Sequence, residues 1–141
     1  MAATDSNAPI IEWGRIDTVF LDMDGTLLDL HFDNHFWREH MPRRYAEYLG
    51  LDEAVARARL DTHYDRHAGT LNWYCVDFWS SELALDIAAL KEEVVHLIAV
   101  RPDVPAFLQA LRASGRRVTM VTNAHPKSLG LKMRETGLEA Y

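Results

Sequence analysis

The pattern of apolar and polar positions divides the chain into a short strand, a long helical stretch and a second strand followed by a helix. Ile16, Val19, Phe20 and Leu21 make the first apolar run, with Asp17 and Thr18 near its open end. This run leads directly into Asp22, Met23, Asp24, Gly25 and Thr26, as expected of a central parallel strand covered on both faces. From residue 30 to about residue 100 the spacing is helical. Gly50 stops one helix, and Asp52 offers an N-cap to the next, EAVARARLDTHYDRHAG, which Gly69 ends. WYCVDFWSSELAL, Trp73 to Leu85, reads as another helix capped by Asn72, and Asp86 caps one more in which Glu92 and Glu93 face water. Asp103 caps and Pro105 opens a helix through Ser114, stopped by Gly115. The second strand, RVTMVTN from Arg117 to Asn123, precedes a helix from Pro126 to Thr136 with Gly137 at its end. Strand, long crossover, strand is a parallel βαβ arrangement. Met1 to Pro9 is small and polar and reads as a loosely attached leader.

Composition narrows the class. With 141 residues and 48% hydrophobic content, the chain is long enough to bury one globular core. A formal net charge of −6 without a basic block argues against a nucleic-acid polymer as partner. The single cysteine, Cys75, excludes an intramolecular disulfide and, among aromatics, reads as a buried small apolar residue. Residues 1–20 contain Asp5, Glu12 and Asp17 and no uninterrupted apolar stretch. Neither a signal peptide nor a membrane span is therefore expected, and the cytoplasm is the default location.

The chemistry concentrates where the strands end. In extended chain, residues two apart point to the same side with Cα atoms roughly 6.5–7 Å apart, so Asp22 and Asp24 are expected to face one small volume. Two anions there are tolerable with a cation between them or a proton on one, and either arrangement suits phosphoryl chemistry. Gly25 lets the chain turn sharply after the pair. Asp-x-Asp-Gly alone would more often be an ordinary turn. A calcium loop does not fit, because its glycine belongs at the sixth position and Gly25 is fourth from Asp22. The second strand raises the signal by ending in Thr122 and Asn123, a hydroxyl and an amide. His63 and His67, with Cys75 later, lack a fourth ligand for a structural zinc and are read as facing solvent.

DMDGTLLD, Asp22 to Asp29, resembles motif I of the haloacid dehalogenase (HAD) superfamily, and VTMVTN resembles its motif II. RPDVPAFLQALRASG resembles the helix that leads into motif II in members with a helical cap inserted after motif I. LDMDGTLLDLHFDNHFW and TLNWYC resemble more narrowly the branch described as GMP/IMP 5′-nucleotidases. The resemblance implies an α/β fold, a HAD-like Rossmannoid parallel sheet, incomplete here, with an inserted helical cap. On that reading residues 1–29 carry the first strand and motif I, residues 30–100 the cap, and residues 101–141 the core helix, motif II and the following helix. Trp37, Trp73, Tyr74, Phe78 and Trp79 are mostly expected to pack the cap. Asn72 to Tyr74 is the exception, a candidate stacking platform for a purine.

The resemblance also implies roles. Asp22 is the nucleophile that forms an aspartyl phosphate, and Asp24 is the general acid and then base. Mg2+ is held by the Asp22 carboxylate and the Asp24 main-chain carbonyl, and Thr122 and Asn123 bind the phosphoryl oxygens. An acid at Asp24 separates this chain from carbon–halogen cleaving members and from transport ATPases, leaving phosphatase or phosphomutase. The expected partner is a small phosphorylated metabolite, a purine nucleoside 5′-monophosphate before a sugar phosphate, and not a membrane. The family's motif III lysine and motif IV acidic pair come from later strands, which the sequence does not reach. The expectation is therefore a truncated product, poorly stable and catalytically negligible alone, acting if at all by association. Lys127 and Lys132, near motif II, are read as helix-surface residues, Lys127 being the first to test as a substitute.

Overall fold

The computed structural model describes residues 10–141, so the expected leader lies outside the described residues. β1 (Thr18–Leu21) and β2 (Arg117–Met120) pair in parallel, with Thr18 opposite Arg117 and Leu21 opposite Met120. Pairing continues one step beyond the strands, because the Val121 N–H donates to the Leu21 carbonyl at 2.8 Å. Side chains alternate along both strands. Leu21, Val118 and Met120 turn toward a core built with α6 (Val104–Ala113) and α7 (Pro126–Thr136), where Met23, Leu28, Val104, Leu108 and Met133 are buried. The other face is open among the described residues, and Phe20 is 69% exposed on it. The cover expected on both faces is thus present on one.

The rest of the described chain is an inserted helical block. α1 (His31–His35) runs through a π-helical turn (Phe36–His40) into α2 (Met41–Leu49), followed by α3 (Glu53–His67), α4 (Val76–Leu83) and α5 (Ile87–Glu92). Its core gathers Phe32, Phe36, Met41, Leu60, Trp79 and Ile87, all but sealed from solvent. The widened turn has a local cause. Pro42 has no N–H to give the Arg38 carbonyl, which accepts from the Arg57 guanidinium instead, while the Met41 N–H reaches back five residues to Phe36.

Several predicted caps are in place. Asp52 Oδ1 accepts from the Ala54 N–H at 2.9 Å, Asp86 Oδ1 from the Ala89 N–H at 2.9 Å, and Gly50 and Gly137 end their helices at φ +64° and +67°. The expected helix from Trp73 to Leu85 is instead two pieces, a 3₁₀ turn (Leu71–Tyr74) and α4. Cys75 divides them with extended backbone, and its Sγ accepts from the Phe78 N–H at 3.4 Å. Cys75 is therefore a half-buried helix cap and not a sealed apolar residue.

The chain leaves the sheet layer and returns to it side by side. Leu28 and Val100 are antiparallel bridge partners, the Asp29 N–H donates to the Ala99 carbonyl at 3.1 Å, and the Arg101 N–H donates to the Leu27 carbonyl at 3.0 Å. No helix among the described residues is long and apolar enough to cross a membrane.

Candidate active site

The loop after β1 is fixed by Met23. Its side chain is fully buried, and its carbonyl accepts from the N–H groups of Thr26, Leu27 and Leu28 at 3.3, 2.9 and 2.9 Å. Gly25 takes the reversal at φ +79°, where a side chain would be strained, and its N–H donates to the Leu28 carbonyl at 2.8 Å. The flanking carboxylates have different surroundings. Asp22 is exposed at the strand end, its Oδ1 accepting from the Met23 N–H at 2.8 Å. Asp24 is half-buried and lines a cleft between the sheet layer and the helical block. Thr122 and Asn123 follow β2, which the strand register sets beside the loop carrying Asp22. Thr122 Oγ1 accepts from the Ala124 N–H at 3.1 Å, and Asn123 is exposed. Asp22, Thr122 and Asn123 do not line the cleft that holds Asp24.

Inside the cleft lies a row of alternating charges. Lys132 on α7 donates to Asp24 Oδ1 and to Asp33 Oδ2, each at 2.6 Å, and Lys91 on α5 donates to Asp33 Oδ1 at 3.2 Å. Two cations and two anions leave the group neutral, which is what permits Lys132 at 1% and Lys91 at 3% exposure. Aromatic faces add support: the Lys91 ammonium lies 4.5 Å from the Phe36 ring centroid and 4.9 Å from that of Phe32. Burial raises the Asp24 carboxyl above its ordinary range against the pull of Lys132. Burial also works to raise Asp33, yet Lys91 and Lys132 together leave it below that range. Burial lowers the Lys91 ammonium, and Asp33 offsets part of that.

The surface reading of Lys132 is therefore wrong, and that of Lys127 is right. Lys127 pairs with Asp77 at 2.5 Å with both side chains 56% exposed. The sequence carried an unused signal. Ser128, Leu131 and Lys132 share one buried helix face at i, i+3 and i+4, and Lys91 falls in phase with Ile87, Leu90 and Val94. A lysine at an apolar phase needs a buried anion, and Asp33 is that anion.

The cleft has a volume of about 320 Å³, at the lower end of the range for small-molecule sites. Trp37, Tyr64, Trp73 and Tyr74 form its aromatic wall, with Asn34, Arg38 and His125 among its polar lining. Trp73 and Tyr74 remain 40% and 46% exposed, whereas Trp79 is buried and donates from Nε1 to the Trp73 carbonyl at 3.0 Å. Asn72 does not line the cleft. His63 and His67 do not face solvent as expected. Both turn toward Glu82, at 2.8 and 3.7 Å, and the His67 ring stacks edge-on against Phe78. No cluster of three or more acidic, histidine or cysteine side chains suited to a metal occurs among the described residues.

Comparison with known proteins gives this arrangement its context. Residues 16–141 match the haloacid dehalogenase-like hydrolases, so the match takes in both strand ends and everything between. The chain belongs to that family. It is 47% identical over 133 residues to the GMP/IMP nucleotidase YrfG of Escherichia coli (strain K12), and equally so to that of Shigella flexneri. These alignments take in 93% of this chain and 59% of each relative, so the chain spans well under two thirds of their length. Among solved structures, a HAD phosphatase from Thermococcus onnurineus superposes with a TM-score of 0.74 at 27% identity, over 89% of this chain and 59% of that one. The α/β class read from the sequence is the class observed.

Proposed function

We propose that the protein carrying this chain hydrolyses phosphate monoesters, and that its substrates are purine nucleoside 5′-monophosphates. The observation that carries this reading is the cleft in which Asp24, on the motif I loop, shares one space with the aromatic wall of Trp37, Trp73 and Tyr74. An acid and a flat apolar surface in one cleft suit a phosphate ester with a planar base. The 47% identical relatives, named as GMP/IMP nucleotidases, support the same substrate class.

In this reading Asp22, open at the end of β1, attacks phosphorus and becomes an aspartyl phosphate. Asp24 gives its proton to the departing ribose oxygen, then takes one from the water that hydrolyses the intermediate. Lys132 occupies Asp24 Oδ1, and Oδ2 has no side-chain partner among the described residues and is the oxygen left for that proton. Thr122 and Asn123 donate to phosphoryl oxygens at the neighbouring strand end. The loop they stand on leads into the N-terminus of α7, whose dipole favours an anion.

The metal we infer is Mg2+. The Asp22 carboxylate is exposed with only Oδ1 engaged, and among the described residues no main-chain N–H outside the regular elements bonds to the Asp24 carbonyl. Two oxygen donors without a third acid fit an ion that takes one or two carboxylates and completes its shell with water and phosphate. When bound, it neutralises charge on the phosphoryl group. A cytoplasmic location fits this substrate class. The test is Asp22→Asn in the full-length product of the reading frame, assayed on GMP and on an aryl phosphate. Turnover should fall to background on both, and wild-type rates would remove the nucleophile assignment.

A further inference from the structure

We propose that Arg38 is the specificity-determining residue of this cleft, reading the paired acceptors O6 and N7 of a 6-oxopurine and thereby favouring GMP and IMP over AMP. The inference rests on the nucleotidase reading above and adds to it the residue that would choose the base.

Three observations lead to Arg38. The first is charge. Of the charged residues lining the cleft, Asp24, Lys132, Asp33 and Lys91 neutralise one another, while Arg38 has no carboxylate within ion-pair distance among the described residues. Its neighbour Glu39 is engaged by Arg57, and the Arg38 main-chain carbonyl also accepts from Arg57, while the Arg38 guanidinium has no partner among the described residues. A cation left over in a cleft is matched by acceptors on the ligand.

The second is position. Asp33, Asn34, Trp37 and Arg38 lie along one continuous helical segment, and all four line the cleft. Asp33 is the member joined through Lys132 to Asp24, so its end of the segment is the phosphoryl end. Arg38 lies five residues on, roughly 6–8 Å farther along the axis. Their spacing, i, i+1, i+4 and i+5, puts the four on one side of the segment. Phosphate beyond the Asp33 end, sugar near Asn34 and base near Trp37 and Arg38 follow the order of groups in a nucleotide.

The third is chemistry. A guanidinium offers two parallel N–H donors and no acceptor. In guanine and hypoxanthine, O6 and N7 are adjacent acceptors that such a fork spans. Adenine replaces O6 with an amino group, so one bond is lost and two donors face each other. Trp73 and Tyr74, with exposed ring surface in the same cleft, stack on either base and do not discriminate.

The experiment measures kcat/KM for GMP, IMP, AMP and a base-less aryl phosphate in the full-length product, for wild type, Arg38→Ala and Arg38→Lys. Arg38→Ala should lower the GMP to AMP ratio by about 10- to 100-fold, the range of one bidentate base contact. Arg38→Lys should recover little of that ratio, because it keeps the charge and loses the fork. Equal losses on GMP, AMP and the base-less ester would overturn the proposal, since Arg38 would then hold the phosphate or the fold. An unchanged GMP to AMP ratio overturns it as well. Wild-type activity on the aryl phosphate without activity on any nucleotide would instead overturn the nucleotidase reading on which it rests.

Discussion

Replacing Lys132 with methionine keeps the length of the side chain and removes the charge that Asp24 and Asp33 share at 2.6 Å. Two carboxylates then face each other across an apolar stem. Removing one partner from a buried ion pair costs about 3–5 kcal/mol. The low end applies here, because Asp24 and Asp33 keep 31% and 23% side-chain exposure and Asp33 retains Lys91. Taking about 3 kcal/mol and a urea slope of about 2 kcal/mol per molar, the unfolding midpoint falls by about 1.5 M. Tryptophan fluorescence reports it through Trp79 in the core of the helical block. A second substitution identifies the cause: Asp24→Asn in the Lys132→Met background removes the repulsion, leaves the Asp33–Lys91 pair in place and should restore part of the loss, a coupling that independent sites do not show. A midpoint within about 0.3 M of wild type, or a double variant whose losses simply add, would refute the account of the charge row.

Asp33 carries a pH signature. Its carboxyl is held below the ordinary value of 3.8 in the folded chain, so the stability it supplies is complete above that value and is lost as pH falls through the lower folded one. Asp33→Asn should therefore be less stable than wild type at neutral pH, with the gap closing in acid unfolding curves below about pH 3.8; a gap that widened in acid would contradict it. Trp79→Ala, which empties the site of the largest buried aromatic side chain and leaves the Trp73 carbonyl without its donor, should cost about 3–5 kcal/mol in urea denaturation. A loss no greater than that of Trp73→Ala would count against its place in the core. Lys127→Ala should leave the thermal midpoint and any phosphatase activity in place, since its pair with Asp77 is solvent-exposed.

What could be read from the sequence depended on the range of the interaction. Caps and terminators act within one helical turn, and Asp52, Asp86, Gly50 and Gly137 do in the structure what their positions predicted. The parallel pairing of the two strands followed from a crossover too long for a hairpin. The break at Cys75 was hidden because a cysteine is not among the usual capping residues and its thiol competes for the Phe78 N–H only weakly. The charge row was hidden for a different reason. Asp24 and Lys132 are 108 positions apart and Lys91 and Asp33 are 58 apart, so no local pattern joins them. Only the helical phase of the two lysines points inward, against a lysine's ordinary preference for water.

The paired crossing at Leu28 and Val100 has a further meaning for how the chain is assembled. Cα atoms of antiparallel bridge partners lie roughly 4.5–5.5 Å apart, the span closed by a short hairpin turn. From the side of the sheet, the chain of the helical block is then one very long hairpin loop that leaves and returns through a gate no wider than a single pair of residues. The entropy of closing such a loop grows only with the logarithm of its length. Helices can thus be lengthened, exchanged or recomposed inside that gate while the strand register and the Met23 loop keep the same two anchor points. The fold separates the part of the chain that can change in length and composition from the part whose register is fixed.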